Sequence, residues 1–340
     1  MPTLARLLHL ALALAPALAP ALALGHLAMG QEPPPVAAPA EGEAGRAAPR
    51  TVFVAGASVS AGYGLSAELK TEADVPLSVF LTATLTPEGG ERLRFMGEGR
   101  RWFSFDPYES GAVQVDAALA AKADVFVGVD FLFWYAFGAT SGRTPRRAAG
   151  LEAGLKQLER LSGPVIIGDL PDIEHALEGR GPFGAPMVQR RMLPSEEERA
   201  SMNRRIRAWA MEREHVRVFP LADVVGRQVR GEVIQVRDLE WDPETPGEGL
   251  QRDLLHPNSR GTTWVAMAVA DALTQVPGLE ATDFSLDERT VRKKVEALTA
   301  ASRERRAASE RRKAERKAQR DRRARERDGQ EGASQPPPAA

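Results

Sequence analysis

The sequence predicts an α/β protein built on a parallel sheet, and three observations carry that reading. Short apolar runs recur between residues 51 and 221, most of them β-branched and nearly continuous, as in strands buried on both faces. Stretches with helical spacing separate them, and this alternation predicts βαβ units with helices on both faces of the sheet. The chain is also long and apolar enough, at 340 residues and 43% hydrophobic, to bury a sizeable core.

The runs are TVFVAG (51–56), RLRFMG (92–97), DVFVGV (124–129), PVIIGD (164–169) and VRVFPL (216–221). Between them VPLSVFLTATL (75–85), AVQVDAALAAK (112–122), RAAGLEAGLKQLERL (147–161) and EEERASMNRRIRAWAMERE (196–214) have helical spacing. A further helix-like run follows His256.

The two ends differ from this body. Residues 1–30 carry Arg6, then an uncharged Leu/Ala run, then small residues, the pattern of a cleaved secretory signal. Ala28 and Gly30 allow cleavage before Gln31, so the expectation is an exported protein, periplasmic or extracellular. The alternative is a retained anchor, which Pro16 and Pro20 make a poor spanning helix. Residues 31–50 are Pro/Ala-rich and read as a disordered linker. At the other end, residues 287–340 read as a charged helix fraying into GASQPPPAA. Its start is assigned to a capping box with Ser285 as N-cap and Glu288 three residues on. Val291, Val295 and Leu298 form a docking stripe that gives out at Ala301.

Charge divides the same way. The tail holds 17 basic and 10 acidic residues, whereas residues 51–286 hold 25 basic and 33 acidic, a net of −8. An acidic body argues against nucleic acid as a partner, while the basic tail suits an anionic or cell-envelope surface or simply a soluble tail. The absence of cysteine excludes disulfides, thiolate chemistry and Cys-based metal sites. No His/Asp/Glu cluster has ligand spacing, so neither metal nor cofactor is implied, and a monomer is expected.

Chemistry is concentrated at the two ends of the body. The first strand runs into GASVSAGYG (56–64), a turn of small residues holding Ser58 and Ser60. It lacks the Lys of a phosphate loop, and position 60 is Ser where a Gly-x-Ser-x-Gly elbow needs Gly. A nucleophilic Ser needs a base, and the base an orienting acid. Beyond the leader the histidines are His175, His215 and His256, and His256 lies in RDLLHPNSRG with Asp253 three residues before it.

Gly56-Ala57-Ser58 followed by Ser60 and Gly62 resembles the first block of the SGNH (GDSL) hydrolases. Asp253-x-x-His256-Pro257 resembles the last. The resemblance covers about residues 51–276. It implies a three-layer α/β/α sandwich with a central parallel, flavodoxin-like sheet, Ser58 as nucleophile, His256 as general base and Asp253 orienting the imidazole. It also implies an oxyanion site from the N–H of Ser58, a glycine after the second strand (Gly97 the better match, Gly99 the alternative) and a third-block Asn. That Asn is Asp130 here, in GVDF. The only asparagines are Asn203 and Asn258.

After Asp130 the aromatics of FLFWYAF (131–137) suit either an acyl pocket or core packing. His175 reads as a loop residue that could approach the crevice. The expected function is an exported ester hydrolase working through an acyl-enzyme on Ser58, with a small-molecule or polymer ester as substrate. The alternatives are a degenerate envelope binding protein, favoured by Asp130, and an acyltransferase using the same residues.

Overall fold

A computed structural model describes residues 48–138, 147–181 and 184–333. The expected signal, most of the linker and the last seven residues lie outside them. The body begins at β1 (Arg50–Gly56) and continues through α1 (Leu65–Leu69), α2 (Leu77–Thr84), α3 (Pro87–Arg92) and β2 (Leu93–Gly99). Next come α4 (Pro107–Ala120), β3 (Val125–Gly128), α5 (Phe133–Phe137), α6 (Arg147–Leu158), β4 (Val165–Gly168) and α7 (Glu196–Met211). The chain closes with β5 (Val216–Phe219), α8 (Leu221–Arg230), the hairpin β6 (Ile234–Val236) and β7 (Leu239–Trp241), α9 (Ser259–Leu273) and α10 (Glu288–Ala333).

All five predicted strands form one parallel sheet in the order β2-β1-β3-β4-β5, the flavodoxin-like order. Alternation along β1 shows why both faces are apolar. Val52 and Val54 join the core made with α2, α8, α9 and α10, whereas Phe53 and Ala55 join the core made with α4 to α7. The result is a three-layer α/β/α sandwich. Strand order reverses between β1 and β3, and ligands of such sheets bind outside the carboxyl ends at that point.

Helix starts follow local chemistry. Ser195 and Glu198 form a reciprocal capping box on α7, Asp106 caps α4 ahead of Pro107, and Asn258 caps α9. The cap expected of Ser285 is made by Asp287 instead, whose Oδ1 accepts from Thr290 N at 2.7 Å. Ser285 N donates to Thr84 O, which holds it in a strand-like contact. Docking of α10 also outlasts its apolar stripe. Val291, Val295 and Thr299 are buried, and beyond Ala301 the side chains of Ser302, Arg305 and Arg306 bond Glu72, Ser66 and Thr71. No helix among the described residues is long and apolar enough to cross a membrane.

Candidate active site

The small residues after β1 are explained by what approaches them. A Cβ on Gly56, whose φ is +149°, would lie 2.0 Å from Asp130 Oδ1 and 2.5 Å from Ser60 Oγ. Gly62, at φ +66°, has the Val75 carbonyl in the same relation, 1.8 Å from a built Cβ. Between these glycines the turn closes on itself, with Ala61 N donating to Ala57 O and Tyr63 N to Ser58 O, both at 2.9 Å. Ser58 is half-buried at its outer edge, and neither its Oγ nor its N–H has a hydrogen-bond partner among the described residues.

Asp130, immediately beyond the β3 end, reaches into this turn. Its Oδ2 accepts from Val59 N at 2.8 Å and Ser60 N at 3.2 Å, and its Oδ1 accepts from Ser60 Oγ at 2.6 Å. Burial pushes its carboxyl above the ordinary range, against the hydrogen bonds from Ser60, Val59 and Ala57. Asp130, expected at the oxyanion position, thus turns both oxygens into the serine turn and clamps it. Ser60 is the clamp's buried partner.

The second motif folds into a tight loop ahead of α9. Asp253 Oδ1 accepts from Leu255 N and His256 N, each at 3.0 Å, and Oδ2 meets His256 Nδ1 at 2.8 Å. Leu254 takes a left-handed conformation, φ +54°, to bring the two side chains together. Burial raises the Asp253 carboxyl, but hydrogen bonds and charge from His256 and the loop N–H groups outweigh it and hold it below the usual carboxylate range. With Nδ1 committed to Asp253, Nε2 is the nitrogen left for another partner.

The two motifs meet through Tyr63. Its ring lies 4.5 Å from that of His256, and its carbonyl accepts from Gln251 Nε2 at 2.6 Å. No hydrogen bond joins Ser58 to His256 among the described residues. A cavity of about 40 Å³ opens beside Ser58, lined by Ala57, Val59, Phe133, Trp134, Ile173, Leu221 and Leu255 among others.

Other expected residues fall differently. Gly97 lies inside β2 in register with Val54, set back from the serine turn, so it is not the glycine at the site. Gly99 takes the strand end opposite Gly56, where a Cβ would meet Ala61 N at 2.3 Å. The register of β2, invisible in the sequence, makes that distinction. Of the aromatic run, Phe133 and Trp134 line the cavity, whereas Phe131 and Tyr135 pack with Phe103 in the core. His175 bonds the backbone of Leu254 from outside the loop, and burial lowers its pKa. His215 is exposed at the opposite end of the sheet, ahead of β5. Asn203 spends its amide on Leu170 and Asn258 on a helix cap, so neither replaces the missing third-block Asn.

The strand order, a serine turn after the first strand and an Asp-x-x-His loop before the last sheet-packing helix together match the architecture implied by the motifs. The fold is a three-layer α/β/α sandwich on a parallel sheet of flavodoxin-like order. No family model matches the chain, and no curated protein matches it in sequence. Among solved structures it is similar to a lipase/acylhydrolase from Enterococcus faecalis, at 18% identity and a TM-score of 0.44, over 68% of this chain and 100% of that one. It is similar also to a carbohydrate acetylesterase from Sinorhizobium meliloti, at 16% identity and TM-score 0.43, over 66% and 99%. A psychrotrophic esterase from Pseudoalteromonas sp. follows at 15% and 0.39, over 66% and 97%.

Proposed function

We propose that this chain is an SGNH-type serine hydrolase acting on an ester through an acyl-enzyme on Ser58. The observation that carries the reading is the His256 Nδ1 to Asp253 Oδ2 contact of 2.8 Å, on a loop joined through Tyr63 to the turn that bears Ser58. Ser58 Oγ attacks the acyl carbon while its proton passes to His256 Nε2. Asp253 holds the ring and stabilises the imidazolium. The oxyanion is held by the unengaged N–H of Ser58, with Gly99 at the neighbouring strand end as the second donor. Collapse expels the alcohol, which takes the proton from His256. Water then attacks the acyl carbon, gives its proton to His256, and the acid departs as Ser58 Oγ recovers that proton.

The small cavity suits a short acyl group. Its interior volume is about 40 Å³, between walls set by Phe133, Trp134 and Leu255. A screen of p-nitrophenyl esters on the full chain tests this. Turnover greatest with acetate and lost in Ser58→Ala is the expected result, and a preference for octanoate or longer would sink the short-acyl reading.

A second reading, a binding protein without turnover, is favoured by Asp130 standing where an amide donor is expected. Labelling of Ser58 by a fluorophosphonate separates the two, since only an activated serine reacts. Transfer of the acyl group to an acceptor other than water would use the same residues. The leader is proposed to direct export, so mature protein should begin at Gln31 by mass spectrometry. The basic tail is proposed to hold the enzyme at an anionic envelope surface.

A further inference from the structure

Most large apolar side chains of this protein are buried, and the exceptions are not scattered evenly. Trp102, Phe105 and Tyr108 are 61%, 62% and 53% exposed and follow one another at three-residue intervals, from the turn after β2 into the first turn of α4. The rings of Trp102 and Phe105 lie 5.5 Å apart. Two exposed aromatics in contact, with Tyr108 three residues on, are costly to leave in water and mark a contact surface.

Their position says what the contact serves. Arg100 N donates to Gly56 O at 2.9 Å, which fixes this segment against the end of β1 and the serine turn. Arg101 is held by Asp74 and lies over two rings, 5.8 Å from that of Trp102 and 5.4 Å from that of Tyr63. Tyr63 in turn packs on His256 at 4.5 Å. A continuous path of rings and one guanidinium therefore leads from the imidazole out across the surface.

We propose that residues 101–108 form a subsite for a neutral polysaccharide, stacking sugar rings on Trp102 and Phe105 while Arg101 and Asp74 bond hydroxyls. The proposal rests on the hydrolase reading and names its substrate class: a sugar polymer carrying short O-acyl groups. Exposed π faces interleaved with a fixed ion pair suit pyranose rings, whose C–H faces are apolar and whose edges are hydroxylated. An acyl group has its own place in the apolar cavity beside Ser58, lined by Phe133, Trp134, Ile173 and Leu255, and does not need this open surface.

The test uses tryptophan emission. Trp134, Trp209, Trp241 and Trp264 are buried, so Trp102 is the solvent-exposed reporter. Xylohexaose, cellohexaose and chitohexaose are titrated separately into the full chain carrying Ser58→Ala, so that binding is read without turnover. A saturable shift of emission with at least one is expected. Phe105→Ala, which keeps the reporter, should weaken it about fivefold. Calorimetry of Trp102→Ala should show a similar loss. A response to none of the three, or only to phosphatidylcholine vesicles, overturns the proposal, as does full affinity in Phe105→Ala. Oligosaccharide binding in a protein that turns over no ester would remove the hydrolase reading and leave the subsite standing. Ester turnover without oligosaccharide binding would do the reverse.

Discussion

Two buried aspartates brace the two loops of the candidate site, and their surroundings drive them in opposite directions. Asp130 and Asp253 each accept from backbone N–H groups and from one side-chain donor. Asp130 is enclosed with neutral donors alone, and burial wins, so its carboxyl is raised. Asp253 has an imidazole among its donors, and its carboxyl is depressed. Hydrogen bonds from neutral groups reduce the penalty of burying a charge, whereas a partner that can itself become cationic reverses its sign. Asp253 is thus suited to stabilise a proton arriving on His256, and Asp130 to shape a turn.

The sharpest way to break this contrast is through the two serines of the turn after β1. Ser58→Ala should lower turnover by on the order of 10⁶-fold with no loss of melting temperature, because Ser58 Oγ has no partner to lose. Ser60→Ala should do the opposite, keeping activity measurable while removing the buried bond to Asp130. Activity retained in Ser58→Ala and lost in Ser60→Ala would invert the assignment. Next in size, Asp253→Asn should cost about 10⁴-fold in kcat, since an amide at this place favours the wrong imidazole tautomer. A kcat within tenfold of wild type would detach Asp253 from the chemistry.

Asp130 should be read in stability. Asp130→Ala leaves the N–H groups of Val59 and Ser60 short of an acceptor, while Ser60 Oγ keeps Ala55 O, and should cost about 3 kcal/mol by urea unfolding. In Asp130→Asn the amide oxygen can serve the N–H groups, while Ser60 Oγ donates to Ala55 O, already 3.1 Å away, and accepts from the amide. That variant should keep activity within tenfold.

The smallest effect is the most discriminating, because it sets the two carboxylates against each other by pH. A group whose folded pKa is raised binds protons more tightly in the native state, so its stabilisation is lost as pH rises. The melting temperature of Asp130→Asn relative to wild type should therefore climb from about pH 4 toward neutrality. For Asp253, with its folded pKa depressed, the advantage of wild type over Asp253→Asn should shrink as pH falls below about 4. Slopes of the same sign in the two variants would end the contrast.

How much of this was legible in the chain depended on range. Continuous runs such as VIIG in β4 are strands because both faces are buried, and that shows in composition alone. Ser58, Asp253 and His256 stood out because each motif is local, its members within a few residues of one another. What escaped was non-local or backbone-borne. Gly99 rather than Gly97 reaches the turn because of strand register. The orientation of Asp130 depends on a contact with residues 70 positions earlier. The short hairpin β6–β7 carries too few residues for a periodic signal. The outer docking of α10 uses carbonyls of Ser66 and Thr71, which no side-chain pattern advertises.

The 2.0 Å approach of Asp130 to a Cβ built on Gly56 has a consequence for how such a site can change over time. Positions 56, 60 and 130 share one volume, so no residue larger than glycine fits at 56 without change at the other two. Any larger residue at 56 meets both the carboxylate at 130 and the hydroxyl at 60, at a φ of +149° that itself disfavours a side chain. Substitutions here will show strong epistasis, and glycine has to stay at 56 for as long as the carboxylate stays at 130. A library randomised at all three positions together should recover functional combinations that no stepwise path of single changes can reach.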